Sequence, residues 1–140
     1  MYFARVQHVV TNPCGEDVDG TTGPVADVVG QLRALTGHIQ LSDERSVEVG
    51  GASGKQVDVT IANGAQAACG GVVGADVPVF VLGDETWGAS PGERFRLVAF
   101  DLQGEEVTVL LSIDWTQTHS VQELEDLFGV GQSLLATVEF

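Results

Sequence analysis

The sequence predicts a single α+β domain, residues 1–140, with one antiparallel, meandering β-sheet and flanking helices. Three observations carry this prediction: two stretches with apolar residues at helical spacing, several stretches in which apolar and polar residues alternate, and no internal repeat or linker. A chain of 140 residues with 44% hydrophobic residues can bury one core. We therefore expect a fold that needs no metal and no dense disulfide framework.

A strand and a helix are predicted first. Residues 2–10 alternate imperfectly and predict one strand. Thr22 then offers a helix cap, Pro24 fits a first helical turn, and Gly37 fits a helix stop. The apolar residues at three- and four-residue spacing between them are Val25, Val28, Val29, Leu32 and Leu35.

The middle of the chain changes to a period of two. Residues 46–49 and 56–61 alternate on either side of a glycine-rich turn, and this pattern predicts a hairpin. Residues 77–82 predict a further strand, in which Pro78 is typical of a sheet edge or a strand start. These strands extend the predicted meander.

The last third predicts two strands, a helix and a short final strand. Residues 94–102 and 106–113 are apolar strands joined by a tight turn. Ser120 and Glu123 fit a capping box, which opens a second amphipathic helix. The helix contains two residues of low helix propensity, Gly129 and Gly131. Residues 136–140 resume a strand-like pattern.

Charge restricts the partners of the chain. It has 20 acidic residues against 6 basic ones, a net charge of -14. Because phosphate binding depends on Lys and Arg, nucleic acids and anionic lipid surfaces are not expected partners. No stretch approaches the roughly 20 apolar residues of a membrane-spanning helix. The acidity suits solubility, a salty or calcium-containing medium, or a cationic partner.

The first residues read directly as a strand, without the basic start and apolar run of a signal peptide. We therefore expect the sequence to be the excised or mature part of a longer exported protein. The export signal would then lie outside this sequence.

Cys14 and Cys69 are the two cysteines, and each lies beside turn-forming residues. If they are bonded, closing a loop of this length stabilises the fold by about 4 kcal/mol in the chain-entropy account. Such a bond implies an oxidising compartment. Two unrelated buried thiols are the alternative. Two cysteines alone do not make a zinc site, and no metal or other cofactor is predicted.

A serine-hydrolase motif occurs in the sequence, but the residues that follow it do not fit a catalytic serine. Gly88-Ala89-Ser90-Pro91-Gly92 matches Gly-x-Ser-x-Gly, and Asp101, Asp114 and His119 follow in the order of a triad. The residue after the serine is proline, which has no N–H for an oxyanion, and a strand follows instead of a helix. A turn is the preferred interpretation, and a small hydrolase using Ser90 and His119 is the alternative.

An acidic stretch is a candidate cation site. Glu16, Asp17 and Asp19 could place carboxylate oxygens around calcium, but the complete loop pattern is absent. An acidic surface loop is the simpler interpretation. A calcium- or salt-dependent adhesion module is the second alternative function.

Three further patterns favour structural roles. Gly50 to Lys55 partly matches a phosphate loop, but the following residues predict a strand, so a hairpin turn is preferred. The histidines lack metal-ligand spacing; they are His8, His38 and His119. Trp87 and Trp115 could line a cleft, although core packing is the simpler expectation.

The ordered set of features resembles bacterial cell-envelope domains akin to the Mog1/PsbP-like superfold. The residues that carry the resemblance are Asn12-Pro13-Cys14, segments 28–35, 47–59 and 97–104, Cys69, Ser90-Pro91-Gly92-Glu93 and the closing helix. The resemblance implies a sheet with flanking helices, a bridge from Cys14 to Cys69, and a place outside the membrane, attached to a leader, a lipid anchor or a larger protein. It implies no catalytic residue.

The sequence therefore favours a non-enzymatic, extracytoplasmic accessory or interaction domain. We expect its outer sheet face or a helix–sheet cleft to meet a protein or small-molecule partner. Neither the partner nor the oligomeric state is indicated by any motif.

Overall fold

The computed structural model of the chain describes residues 2–14, 22–24, 27–35, 37–65, 76–112 and 120–137. Within these residues, strands form two antiparallel sheets, and two helices complete an α+β fold. The predicted α+β class and antiparallel pairing are confirmed. The prediction of a single sheet is corrected to two sheets.

The elements follow one another along the described chain as β1 (Tyr2–Arg5), β2 (His8–Val10), β3 (Thr22–Pro24), α1 (Val28–Ala34), β4 (Ile39–Val49), β5 (Ala52–Ile61), β6 (Val77–Leu82), β7 (Glu85–Ala89), β8 (Arg94–Leu102), β9 (Glu105–Ser112) and α2 (Val121–Leu135). The five-stranded sheet, sheet A, has the order β1-β9-β8-β5-β4. The four-stranded sheet, sheet B, has the order β3-β2-β6-β7. Strand β4 is therefore an edge strand of sheet A.

The division into two sheets falls inside the first predicted strand. β1 pairs with β9 of sheet A, whereas β2 pairs with β6 of sheet B. Between them, the Val6 amide donates to the Thr108 carbonyl and the Gln7 amide donates to the Val81 carbonyl, both at 3.0 Å. The chain thus crosses between sheets at residues 6–7. Local alternation does not reveal which partner strand each half joins, so the pattern predicted one strand.

Sheet A is covered on both faces, as alternate residues of β8 demonstrate. Phe95 and Leu97 pack into a core shared with sheet B and α1. Val98 and Phe100 pack on the opposite face against α2. Burial on both faces explains why β8 is apolar almost throughout instead of alternating with polar residues.

Helix α1 begins later than predicted. Residues 22–24 pair with β2 as strand β3, so Thr22 does not cap the helix and Pro24 does not form its first turn. The helix begins at Val28. Strand pairing with β2 has overridden the local helix-start signal at these residues.

Two carboxylates accept hydrogen bonds from backbone amides at the start of α1. The Asp27 side chain accepts from the Gly30 amide at 3.2 Å, and Glu106 accepts from the Val28 amide at 2.9 Å. Both also lie near the positive end of the helix dipole. Glu106 comes from β9, a contact that sequence spacing does not reveal.

Two predicted hairpin turns are confirmed. Gly50 and Gly51 have φ values of 56° and 82°, and Gln103 and Gly104 have φ values of 56° and 89°. Two consecutive residues with positive φ match the twist of the flanking strands. The stretch with some resemblance to a phosphate loop is therefore the β4–β5 turn.

Strand β7 was not predicted. It pairs with β6 through a turn in which Gly83 has a φ of 67°. The Gly83-Asp84 dipeptide is a hairpin signal that could have revealed it. Pro78 lies near the start of β6, as expected, but β6 is an inner strand of sheet B.

Helix α2 begins as predicted, and the first two residues of the predicted final strand form a turn. The Glu123 amide donates to Ser120 Oγ at 3.2 Å, and the Ser120 amide donates to Glu123 Oε2 at 2.6 Å, which completes the capping box. Ala136 and Thr137 form a turn after the helix instead of strand, and residues 138–140 of the predicted strand lie outside the described residues.

Candidate functional site

A buried polar cluster lies where α2 covers sheet A. Gln56 and Asp58 of β5 are 0% exposed, and Arg96 of β8 is 2% exposed. Because side chains alternate along β5, Gln56 and Asp58 lie on the face opposite Val57. In a half-buried strand, that polar face is expected to be in contact with solvent. That face is covered by α2, so the two polar residues are buried instead of solvated.

An ion-pair network joins the sheet to the helix. Arg96 binds Asp58 through two hydrogen bonds, Nε to Oδ1 at 2.6 Å and Nη2 to Oδ2 at 2.9 Å. Arg94 donates to the same Asp58 carboxylate. Glu125 of α2 accepts from Arg94 at 2.8 Å and from Arg96 at 3.2 Å. The charges therefore compensate one another, and Glu125 ties α2 to the sheet.

The environment shifts the pKa of Asp58, Arg94 and Arg96 towards the charged form. Burial alone would raise the pKa of Asp58, but hydrogen bonds and charges from Arg96 and Arg94 outweigh it and lower that pKa. Burial opposes the charge of Arg94 and Arg96, yet Asp58 and Glu125 raise the pKa of both. The Arg96 guanidinium also lies 4.6 Å from the centre of the Phe128 ring.

A second set of hydrogen bonds, made through neutral side-chain amides, links Arg96 to Arg45. Gln132 accepts from Arg96 Nη1 at 3.3 Å and from Arg45 Nη2 at 3.4 Å. The side-chain amides of Gln132 and Gln56 are in direct contact. With its oxygen turned towards Arg45, Gln56 accepts from Nη2 and Nε at 2.8 Å. The side-chain amide oxygens of Gln132 and Gln56 thus accept hydrogen bonds from the Arg45 guanidinium.

A β-bulge in β4 brings Arg45 to this face. The pairing of β4 with β5 shifts between Ser42 and Arg45, where Asp43 has a φ of 51°. Before the shift, Leu41 packs against the core shared with sheet B, and after it Val47 packs against the core under α2. One extra residue therefore exchanges the two faces of the strand. Simple alternation does not predict this exchange.

A groove of about 390 Å³ runs between the end of β4 and the second half of α2. We call it the α2–β4 groove. Its lining residues are Val47, Glu48, Val49, Val98, Gly129, Gln132, Ser133, Leu135 and Ala136. Because side chains alternate along β4, the Glu48 side chain points to the face opposite Val47 and Val49, and Glu48 reaches the groove through its backbone. The exposed lining is about equally apolar and polar, and a cleft that combines apolar side chains with a few polar groups is a common form of binding site.

Two apolar residues of α2 are exposed outside the groove lining. Val130 is 55% exposed and Leu134 is 53% exposed. They are four residues apart and therefore lie on one side of the helix.

At Gly129, which lines the groove, an added Cβ would meet nothing within 4 Å. The groove is open at this position because the residue has no side chain.

A second cavity, of about 320 Å³, adjoins the ion-pair network. Its lining is Asp43, Glu44, Arg45, Arg96 and Glu125. The two cavities thus follow successive residues of β4, one with a charged lining at 43–45 and one with a mixed apolar and polar lining at 47–49. The seam between β4 and α2 is the candidate functional site.

Ser90 occupies a turn between β7 and β8, away from this seam. Its hydroxyl donates to Asp76 Oδ1 at 2.6 Å, and its amide donates to Glu93 Oε2 at 2.9 Å. These bonds suit the predicted turn. Its proposed partner, His119, lies outside the described residues, as does Asp114, while Asp101 accepts from the Gly104 amide at 2.9 Å in another turn.

The predicted disulfide and cation site are only partly within the described chain. Cys14 is exposed, and its Sγ lies 3.4 Å from His38 Nε2. The described residues include no free cysteine. Cys69, Glu16, Asp17 and Asp19 lie outside them, so the bridge and the cation site stay predictions.

Trp87 packs in the core, the simpler of its two interpretations. Its ring stacks on Phe80 with centroids 5.8 Å apart and meets Phe95 edge-on at 4.9 Å. Trp115 lies outside the described residues. In the described ranges, no group of three metal-ligating side chains is close enough to hold a metal ion. No helix among them combines the length and apolar character needed to cross a membrane.

Comparison of the chain with protein-family models, with curated proteins and with solved structures found no match.

Proposed function

We propose that this chain is a non-enzymatic interaction domain and that its binding face is the α2–β4 groove. The sequence offered two possible binding faces, the outer sheet face and a helix–sheet cleft, and this proposal takes the second. The ion-pair network fixes α2 over the sheet and so gives the groove a rigid wall. The groove supplies apolar surface beside a few polar groups, the composition that favours a bound partner.

The single observation that carries the proposal is Gly129. A glycine in a helix interior costs about 0.5–1 kcal/mol relative to alanine. No neighbour requires a glycine here, since an added Cβ would meet nothing within 4 Å. The residue is thus unfavourable for the helix and is not needed for packing. A large side chain at this position would project into the groove, so its absence leaves the groove accessible.

The test is a pair of substitutions at this one position. Gly129→Leu fills the groove with a branched side chain, whereas Gly129→Ala adds a single methyl group, and both favour the helix. Affinity columns that carry the wild type and Gly129→Ala should retain the same partner from an extract of the source cells, and a Gly129→Leu column should lose it. Equal retention by all three columns would contradict the proposal.

We also propose that the domain acts outside the cytoplasm, with a disulfide between Cys14 and Cys69. The absence of a free cysteine among the described residues supports this. Intact mass with and without reductant tests it, since a bridge gives a gain of about two hydrogens on reduction. An unchanged mass, with both thiols alkylated in denaturant, would contradict it.

The resemblance to Mog1/PsbP-like domains is likewise a proposal. An antiparallel sheet covered by a C-terminal helix supports it. An experimental structure that superposes poorly on such domains would overturn it.

A further inference from the structure

We propose that the occupant of the α2–β4 groove is an extended peptide segment of a partner protein, in which apolar and basic residues alternate, and that it adds to sheet A as a strand beside β4. This inference rests on the proposed function and specifies the chemistry of the partner. Three features carry it: a sheet edge with which no described strand pairs, a groove with apolar side chains on one side of that edge, and an acidic side chain on the other.

The free edge follows from the register of the β4–β5 hairpin. Val49 pairs with Ala52 across a two-residue turn, and Val47 pairs with Gly54. In such a hairpin, the pair beside the turn exchanges both backbone hydrogen bonds, and every second pair does the same. The backbone groups of Ser46 and Glu48 therefore point away from β5. In the described chain, no strand pairs with this edge.

The bulge limits where a strand can add. At Asp43, with its φ of 51°, the regular ladder is interrupted. Bulges and charges are common protections of sheet edges. Regular pairing is thus available only along residues 45–49, the stretch beside the groove.

The two faces of β4 select alternating side chains. A partner residue opposite Val47 or Val49 would point towards α2, into a groove of about 390 Å³ with Val98 and Leu135 in its lining. This space accepts large aliphatic or aromatic side chains. A residue opposite Ser46 or Glu48 would point to the other face, where the Glu48 carboxylate favours Lys or Arg.

Charge also argues against a second copy as the occupant. The net charge of the chain is -14, so two copies repel each other. Antiparallel pairing of two β4 edges would in addition bring Glu48 near its own counterpart or near other acidic residues of the strand. A basic segment meets no such repulsion.

The mode of recognition is strand addition, in which backbone hydrogen bonds provide affinity and alternate side chains provide specificity. The probe is a short, fluorescein-labelled synthetic peptide in which Lys alternates with Val and Leu. Two control peptides have Glu in place of Lys, or Pro at alternate positions so that no ladder can form. We expect the Lys peptide to bind and both controls to bind at least about tenfold more weakly. Binding should weaken with added salt.

Proline substitution tests the edge itself. Ser46→Pro removes an N–H that points away from β5, so the hairpin keeps its own hydrogen bonds. We expect Ser46→Pro to weaken peptide binding about tenfold or more and Ser46→Ala to leave it unchanged. In the wild type, amide exchange at residues 46 and 48 should slow when the Lys peptide is added, which provides a readout even if Ser46→Pro does not fold.

Four results would overturn the inference: no binding of the Lys peptide, equal binding of the Pro peptide, binding without slower exchange at residues 46 and 48, or a dimer of the free chain that Ser46→Pro dissociates. None of these results decides the proposed function, which the Gly129 columns test separately. If the Gly129→Leu column loses the partner but the Lys peptide does not bind, the groove remains the proposed binding face and only the strand-addition mode is rejected.

Discussion

Asp58 and Arg96 form a buried, two-bond ion pair beneath α2, with donor–acceptor distances of 2.6 Å and 2.9 Å. Both residues are on neighbouring strands of sheet A and are paired in register across β5 and β8. Arg94 and Glu125 extend the pair to the surface. This pair sets the position of the helix that forms one wall of the proposed binding groove.

Asp58→Asn should destabilise the fold by about 3–5 kcal/mol, because it leaves Arg96 buried without a full counter-charge. Asp43→Asn is the matched control, since Asp43 is 65% exposed and lies 3.5 Å from Arg94. A surface pair of this kind contributes roughly 0–1 kcal/mol. Urea unfolding of both variants measures the difference. Equal effects would show that the buried pair has no special role in stability.

Acid should remove the contribution of Asp58. The folded state lowers the pKa of Asp58 below its ordinary value of 3.8. The folded state therefore holds the proton less tightly than the unfolded state, and the stabilisation is present above that value and lost as pH falls through the lower, folded pKa. The stability gap between wild type and Asp58→Asn should be constant near neutral pH and should shrink in acid. A gap that does not change down to about pH 2 would contradict this reading.

Gly129→Ala should stabilise the protein by about 0.5–1 kcal/mol through helix propensity. Gly54→Ala is the contrasting change, since its Cβ would clash with the Ala99 carbonyl oxygen. We expect that substitution to destabilise the fold by roughly 1–3 kcal/mol. Thermal unfolding compares the two. A destabilised Gly129→Ala would mean that packing, and not the groove, requires this glycine.

Gln103→Asn should stabilise the β8–β9 hairpin. Gln103 has a φ of 56°, a left-handed conformation that costs an ordinary residue roughly 1–2 kcal/mol and that Asn tolerates better. We expect a gain of about 0.5–1 kcal/mol, and a loss for Gly104→Ala, whose φ is 89°. Chemical denaturation measures both. A loss with Asn would indicate a role for the Gln103 side chain that the turn geometry does not explain.

Local patterns predicted those parts of the fold that depend on local chemistry. The turns at Gly50-Gly51 and Gln103-Gly104 and the capping box at Ser120 were predicted because neighbouring residues alone determine them. The crossover at residues 6–7 and the strand at 22–24 depend on which distant strand pairs with which. Sequence alternation contains no information on that choice.

The candidate site was only partly predictable for the same reason. The sequence left open an outer sheet face or a helix–sheet cleft and identified no residues of either. Gln56 and Asp58 had the pattern of a solvated face, and only the tertiary placement of α2 buries them. The bulge near Asp43 moves Arg45 and Val47 to the helix face, against the simple period of two. Gly129 was the one available signal, as a glycine inside an otherwise favourable helix.

The most direct measurement of the central claim is photo-cross-linking in the source cells from single positions of the chain. A benzophenone side chain at Ser133, which is exposed and lines the groove, is compared with one at Asp84, in the exposed β6–β7 turn of sheet B. We predict that a partner cross-links to position 133 and not to position 84, and that Gly129→Leu abolishes the product. Cross-linking from position 84 alone, or a product at 133 that Gly129→Leu leaves intact, would contradict the assignment of the α2–β4 groove as the binding face.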